Sequence, residues 1–162
     1  MSRMVPHIMK RSFLAVLLAG SLSASLGAEP AQADFSGGSA ASPLTEARDK
    51  IEEGAYEAAL SDLQGLAAEN PQDADVHNLL GYAYRKMGRY DESFEHYTLA
   101  LEIDPEHAEA LEYLGELYLQ TDRLPEAEAT LERLSRACGF FGCEEERELE
   151  EAISDYKAKQ GS

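Results

Sequence analysis

The chain has 162 residues, the length of a single domain, and carries 31 acidic against 14 basic residues, a net charge of −17 at pH 7. This charge repels phosphate backbones and anionic lipid head groups, so the composition argues against binding to nucleic acid or to a membrane surface. The same charge keeps a protein in solution and favours encounters with basic partners.

The first 33 residues carry the pattern of a secretory signal. Basic residues precede an apolar run over residues 13–26, which fades into small residues and ends at Ala31-Gln32-Ala33. A signal peptidase accepts such an ending, whereas a transmembrane helix needs about 20 apolar residues. We therefore predict a signal peptide at residues 1–33, cleavage after Ala33, and a periplasmic or secreted protein without later membrane insertion. Cleavage would remove three basic residues and one acid, leaving 11 and 30, a net charge of −19.

After a short leader, residues 34–41, which we expect to be disordered, the sequence repeats itself at an offset of 34 residues. The identical pairs at this offset are Ala74/Ala108, Leu80/Leu114, Gly81/Gly115, Tyr84/Tyr118, Arg89/Arg123 and Glu92/Glu126. The same step backwards aligns Gly54 with Gly88 and Pro71 with Pro105. Units 42–73, 74–107 and 108–141 therefore follow one another at a single period, the pattern of stacked repeats.

Each unit is predicted to form two helices. In the central unit, apolar residues recur at helical spacing over Ala74–Met87, and Gly88 can supply the left-handed residue that ends this helix. A second helix follows over Tyr90–Ile103 and stops at Asp104-Pro105. Small residues are expected to let the two helices approach closely; they are Gly81, Ser93 and Ala100.

This arrangement resembles the tetratricopeptide (TPR) repeat. The resemblance rests on the run Asn78-Leu79-Leu80-Gly81-Tyr82-Ala83-Tyr84, on Ser93, Tyr97, Ala100 and Asp104-Pro105, and on the matching third unit with Gly115, Tyr118 and Ala127. It implies an all-α fold, a right-handed α-solenoid of three helix-turn-helix repeats. The first unit departs from the pattern at Pro43, Glu46 and Lys50, and we interpret it as a terminal repeat with a solvated outer face.

The chain is predicted to close with a helix in residues 142–162. Leu149, Ile153 and Tyr156 form a narrow apolar stripe on Glu144–Lys159 that can cover the open end of the last repeat. Proteins similar to this one commonly carry such a C-terminal capping helix.

Cys138 and Cys143 flank the turn Gly139-Phe140-Phe141-Gly142 before that helix. In an exported protein two cysteines are first interpreted as a disulfide, which would fix the capping helix to the repeat it covers. A redox-active pair and a metal site are the alternatives. The first lacks the Cys-x-x-Cys motif, and the second lacks a histidine in the segment and has too few ligands.

Nothing in the remaining sequence indicates catalysis. His77, His96 and His107 do not stand at the spacing of a helical zinc site, and no phosphate-binding loop or nucleophile motif is present. We therefore predict no enzyme activity, no cofactor and no metal.

The resemblance implies a concave groove lined by the first helix of each repeat. Carried over by position, the groove residues are Asp75, Asn78, Tyr82, Arg85 and Lys86 in the second unit, Glu109, Glu112, Glu116, Leu119 and Gln120 in the third, and, in weaker register, Leu44, Arg48, Ile51 and Glu52 in the first. Helical geometry places the three glutamates on one face. The alternative is that these are simply charges facing water.

We therefore expect a non-catalytic protein-protein interaction module, an adaptor or scaffold that holds a peptide or helix in its groove. A partner segment would place Lys or Arg toward Glu109 and Glu116, and we expect no binding to nucleic acid. The alternatives are a structural or self-associating repeat protein and a thiol-redox or metal-handling envelope protein.

Overall fold

The computed structural model describes residues 41–161, which form α-helices joined by short turns and contain no strand. The predicted signal peptide and residues 34–40 of the predicted leader lie outside the described residues. In chain order the helices are α1 (Pro43–Glu52), α2 (Tyr56–Glu69), α3 (Ala74–Lys86), α4 (Tyr90–Ile103), α5 (Ala108–Gln120), α6 (Leu124–Cys138) and α7 (Glu144–Gln160), with a single 3-10 turn at Gly139–Phe141 between α6 and α7.

Consecutive helices pack as pairs, α1 with α2, α3 with α4 and α5 with α6, and each pair packs on the next. This confirms the predicted all-α solenoid of helix-turn-helix repeats. The second helix of the central unit has the predicted bounds, and its first helix ends one residue early because Met87 takes the C-cap position.

The turn within each repeat needs a left-handed residue at the same position. Gly54 and Gly88 have φ angles of 76° and 74°, and Asp122, at the same offset in the third repeat, has a φ of 57°. Glycine adopts this conformation without a steric cost, whereas aspartate does so with strain that its short polar side chain moderates. Periodicity in the sequence thus marks a backbone requirement, and the third repeat meets it with a less favourable residue.

Gly81 lets α3 and α4 approach as predicted. A Cβ atom on Gly81 would lie 2.6 Å from the ring of Tyr97, and Ser93 Oγ donates a hydrogen bond of 2.7 Å to the Gly81 carbonyl. Gly115 occupies the same repeat position in α5, but the side chain that packs against it belongs to α7. A Cβ there would lie 2.5 Å from the Leu149 side chain of α7.

The first repeat has the solvated outer face expected of a terminal repeat. Pro43 and Glu46 are exposed, and Lys50 forms an ion pair with Asp62 of α2. Ser42 caps α1 by accepting a hydrogen bond from the Thr45 amide.

Helix α7 covers the last repeat. Leu149 and Ile153 are buried in the same cluster as the core residues of α5 and α6, and Tyr156 packs beside them half-buried. Cys138 and Cys143, at the end of α6 and the start of α7, have Cα atoms 5.4 Å apart and sulfur atoms at disulfide distance. Among the described residues, no helix is both long enough and apolar enough to cross a membrane.

Candidate functional site

The first helices of the three repeats, α1, α3 and α5, together build one surface, which we call the first-helix face. Its centre is a pair of tyrosines, Tyr82 of α3 and Tyr113 of α5, with ring centroids 4.9 Å apart. The Arg85 guanidinium carbon lies 5.2 Å from the Tyr82 centroid and 5.4 Å from that of Tyr113, while Lys86 Nζ lies 5.4 Å from Tyr82. Cations at this range are attracted to aromatic faces, so the two rings hold both side chains in place.

Arg85 is a buried link between α3 and α5. Its side chain is 4% exposed, and its guanidinium pairs with Glu116 at 2.5 Å. Because a buried charge needs a partner, this ion pair fixes the orientation of Arg85 beneath the tyrosines.

A second polar network joins all three helices of the face. Asn78 Nδ2 donates to Glu109 Oε2 at 3.0 Å, and Arg48 lies 3.7 Å from the same oxygen. Arg48 also lies 3.6 Å from Asp75, whose carboxylate contacts His107 at 3.1 Å. The network positions Glu109 and Asp75 and offsets part of their charge.

Glu112 is a buried carboxyl group at the α7 side of the face. It is 5% exposed, and burial, together with the nearby Glu116 and Glu148 and a hydrogen bond with Glu148, raises its pKa from 4.5 to about 8. Desolvation and like charges both disfavour the carboxylate. At neutral pH Glu112 is therefore largely protonated.

The structure places part of the predicted site below the surface. Asn78, Arg85 and Glu112 were expected to face a ligand, but all three are buried and support the face from within. The reason is that α7 and the neighbouring helices cover positions that an isolated helix would expose. Leu119 of the predicted set is also buried. The partly or fully exposed members of the predicted set are Asp75, Tyr82, Lys86, Glu109, Glu116 and Gln120, together with Leu44, Arg48, Ile51 and Glu52 of the first repeat.

The predicted acidic end of the groove is also less acidic than its three glutamates suggest. Glu109 is engaged by Asn78 and Arg48, Glu116 is engaged by Arg85, and Glu112 keeps its proton.

Two cavities open on this face, one beside the two tyrosines and one between α5 and α7. The first, which we call the aromatic cavity, has a volume of about 160 Å³ and is lined by Arg48, Ile51, Glu52, Leu79, Tyr82 and Tyr113. The second, the α7 cavity, has a volume of about 240 Å³ and is lined by Glu116, Leu119, Gln120, Ala152, Asp155, Tyr156 and Lys159.

The sequence prediction missed the contributions of Tyr113 and of α7 to these cavities. At the 34-residue offset Tyr113 aligns with Leu79, a core residue, so the repeat pattern indicated burial rather than a cavity wall. The contribution of α7 depends on its packing against α5, which no motif encodes.

Two histidines distant in sequence also meet in the structure. His77 Nδ1 lies 3.2 Å from His96 Nδ1, and the His96 ring stacks on Tyr84 at a centroid distance of 5.4 Å. Burial and the neighbouring His77 lower the pKa of His96. Their separation of 19 residues hid this pair from a search for helical metal-site spacing.

Glu146 lies near the two cysteines, close enough for the three side chains to hold a metal ion together. The two sulfur atoms are bonded to each other, however, and a metal site needs free thiolates.

Part of the chain is similar to a known protein family. Residues 72–138 match the sequence profile of the tetratricopeptide repeat. A curated relative, the probable biofilm formation methyltransferase WspC of Pseudomonas putida, is 34% identical over 84 residues, which are 52% of this chain and 20% of that protein. The chain thus spans about a fifth of the length of this relative.

Solved structures share the fold. The Yersinia enterocolitica type III secretion chaperone SycD, in complex with a peptide of the translocator YopD, has a TM-score of 0.63 at 23% identity, covering 73% of this chain and 92% of that one. The TPR2B domain of yeast Sti1, in a pHsp70 complex, has a TM-score of 0.65 at 16% identity, covering 72% and 98%. Profile and fold together support the tetratricopeptide repeat family, with residues 72–138 matching its repeats within a solenoid of consecutive helix pairs.

Proposed function

We propose that this protein is a non-catalytic adaptor whose first-helix face holds a segment of another protein. The observation that carries the proposal is the aromatic cavity, a recess lined by Ile51, Leu79 and the two tyrosines beside Arg48 and Glu52 on a face rich in charge. Peptide complexes of SycD and of the Sti1 domain, which have the same fold, support this use of the surface.

The chemistry of the face defines the partner segment. An apolar side chain fits the aromatic cavity, because four of its six lining residues are aliphatic or aromatic. Lys or Arg further along the segment would meet Glu116 and Asp155 at the α7 cavity. The overall charge of −17 attracts such a basic segment from a distance. The partner is thus a protein segment with an apolar anchor and flanking cations.

The proposed setting is the periplasm or the medium outside the cell. The signal pattern at residues 1–33 supports export, and the cysteine pair is of the kind that persists in oxidising compartments.

The proposal is tested with a fluorescein-labelled synthetic peptide that carries a central leucine flanked by lysines. Fluorescence anisotropy should show binding to the purified protein, and Tyr82→Ser should weaken it about tenfold because an aromatic wall of the cavity is lost. Tyr90→Ser is the matched control, since Tyr90 is an exposed tyrosine of α4 that lines neither cavity.

Asp155→Asn should reduce the salt dependence of binding while leaving the peptide bound, because it removes one exposed charge and no apolar contact. Equal affinities for wild type and Tyr82→Ser would reject the aromatic cavity as the binding site.

A further inference from the structure

The most exposed large apolar side chains of the described residues are two adjacent phenylalanines. Phe140 is 97% exposed and Phe141 is 96% exposed, and their rings contact each other edge to face at a centroid distance of 5.4 Å. They add nothing to the core that α6 and α7 share. Aromatic side chains held in solvent at one place are typical anchors of protein interfaces.

The turn that carries these rings is constrained at both ends. Gly139 and Gly142 adopt φ angles of 70° and 67°, and the sulfur atoms of Cys138 and Cys143 are joined just outside them. We call this segment, residues 138–143, the phenylalanine loop. A loop fixed in one conformation loses little entropy when it binds, so its two rings are prepared for docking.

A complementary surface exists on the same molecule. The aromatic cavity is lined by α1, α3 and α5 and is not filled by the molecule's own loop, whose rings are exposed. Lys86 stands beside its Tyr82 wall, whereas Arg48 in the cavity wall already contacts Asp75 and Glu109. The phenylalanine loop is followed directly by Glu144-Glu145-Glu146. The aliphatic and aromatic part of the lining would receive a ring, and Lys86 would face the glutamates.

We infer that the phenylalanine loop of one molecule docks into the aromatic cavity of a second copy, so that the protein associates head to tail. The contact joins two different surfaces, so each copy keeps one loop and one cavity free for further copies. The inference rests on the proposed function in one respect only, the ability of the cavity to accept an apolar side chain. Docked copies therefore compete with partner segments for the cavity.

The negative charge of the protein disfavours binding of the phenylalanine loop to a lipid bilayer. The same charge also weakens the association of two copies. The run Glu144-Glu145-Glu146 beside the loop disfavours an anionic membrane surface. The net charge of −17 also opposes the approach of two copies, so the association should strengthen as salt screens it.

Sedimentation equilibrium of the purified protein at physiological salt tests the inference. The weight-average mass of the wild type should rise above the monomer mass between about 10 µM and about 1 mM, the range expected for a contact made by two aromatic anchors. Phe140→Ser combined with Phe141→Ser should abolish this rise, and so should Tyr82→Ser alone. Tyr90→Ser, an exposed tyrosine outside both surfaces, should associate like the wild type.

Mixing the two defective proteins gives the sharpest readout. The double phenylalanine variant keeps an intact cavity and Tyr82→Ser keeps an intact loop, so their mixture should regain dimers that neither forms alone. Circular dichroism spectra matching the wild type would show that both variants are folded. A wild type that stays monomeric, a double variant that still associates, or a mixture that stays monomeric would each overturn the inference.

A parallel assay separates this inference from the proposed function and from membrane binding. The double phenylalanine variant should bind the leucine-lysine peptide at least as well as the wild type, so loss of self-association with peptide binding retained isolates the loop. If Tyr82→Ser abolishes self-association but the wild type does not bind the peptide, the proposed function fails and the inference stands. Phenylalanine-dependent binding to phosphatidylethanolamine vesicles, with a monomeric wild type, would instead assign the loop to lipid and overturn the inference.

Discussion

At the scale of single residues, the first-helix face is organised by groups that a ligand would not touch. Arg85 lies beneath Tyr82 and Tyr113 and is held by Glu116, while Asn78 holds Glu109 from below. The resemblance predicts that such positions face a ligand, whereas in the structure they are buried and hold the neighbouring side chains in place. The half-buried Tyr82 and the exposed Lys86 are therefore pre-positioned, which would lower the entropic cost of the binding proposed above.

The raised pKa of Glu112 predicts how folding stability depends on pH. Below about pH 4.5 the carboxyl is protonated in both the folded and the unfolded state, whereas between about 4.5 and 8 only the unfolded state ionises, so folding stability falls as pH rises. Glu112→Gln removes this loss. Urea unfolding should show equal stabilities near pH 4 and an advantage for the variant that grows to about 4 kcal/mol near pH 8, since each pH unit between the two pKa values contributes about 1.36 kcal/mol.

Glu95→Gln, an exposed glutamate on α4 with no shared contact, is the control and should show no such trend. A constant difference between Glu112→Gln and wild type across this pH range would contradict the proton assigned to Glu112.

At the scale of elements, α7 covers the apolar surface at the end of the last repeat. Its side chain Leu149 fills the space that Gly115 leaves on α5, and the cysteine pair fixes the turn that leads into it. The helix also supplies Ala152, Asp155 and Tyr156 to the α7 cavity. The same helix therefore covers the last repeat and forms one wall of the α7 cavity.

Replacing Leu149 tests the capping role. Leu149→Ala leaves a cavity in a fully buried position, and we expect a loss of about 2–5 kcal/mol in the free energy of unfolding. Ser154→Ala, at an exposed position of the same helix, should change it by less than about 0.5 kcal/mol. Amide hydrogen exchange should show the loss concentrated in α5, α6 and α7. Similar urea midpoints for the two variants would mean that α7 does not contribute to the core.

At the scale of the whole molecule, charge opposes folding. The net charge of −17 creates self-repulsion that the compact state suffers more than the unfolded chain. Ion pairs such as Arg123 with Glu126 and Lys157 with Glu128 are exposed, so solvent screening leaves each of them a small contribution to stability. Repulsion summed over the whole molecule is therefore expected to outweigh them.

Salt dependence tests this balance. Raising sodium chloride from about 10 mM to about 150 mM shortens the screening length from roughly 30 to 8 Å, so the urea midpoint of the purified protein should rise. Sucrose at matched osmolality, which screens nothing, serves to subtract solvent effects. A midpoint that falls with salt would show that attractive ion pairs, rather than repulsion, dominate the electrostatics.

By itself the sequence determined the local and periodic features of this protein. The bounds of α4, the left-handed turns at Gly54 and Gly88, and the close approach at Gly81 all follow from a 34-residue period, because helix packing and turn geometry depend on short-range spacing. The apolar stripe of α7 followed from its helical spacing in the same way.

Only the tertiary structure decided which side chains reach the surface. The burial of Glu112, the place of Tyr113 in a cavity wall and the meeting of His77 with His96 depend on neighbours brought together from different helices. Exposure and protonation are set by the sum of all surrounding atoms. A periodic sequence pattern indicates the helix face on which a residue lies, but it does not indicate which residues pack against that face.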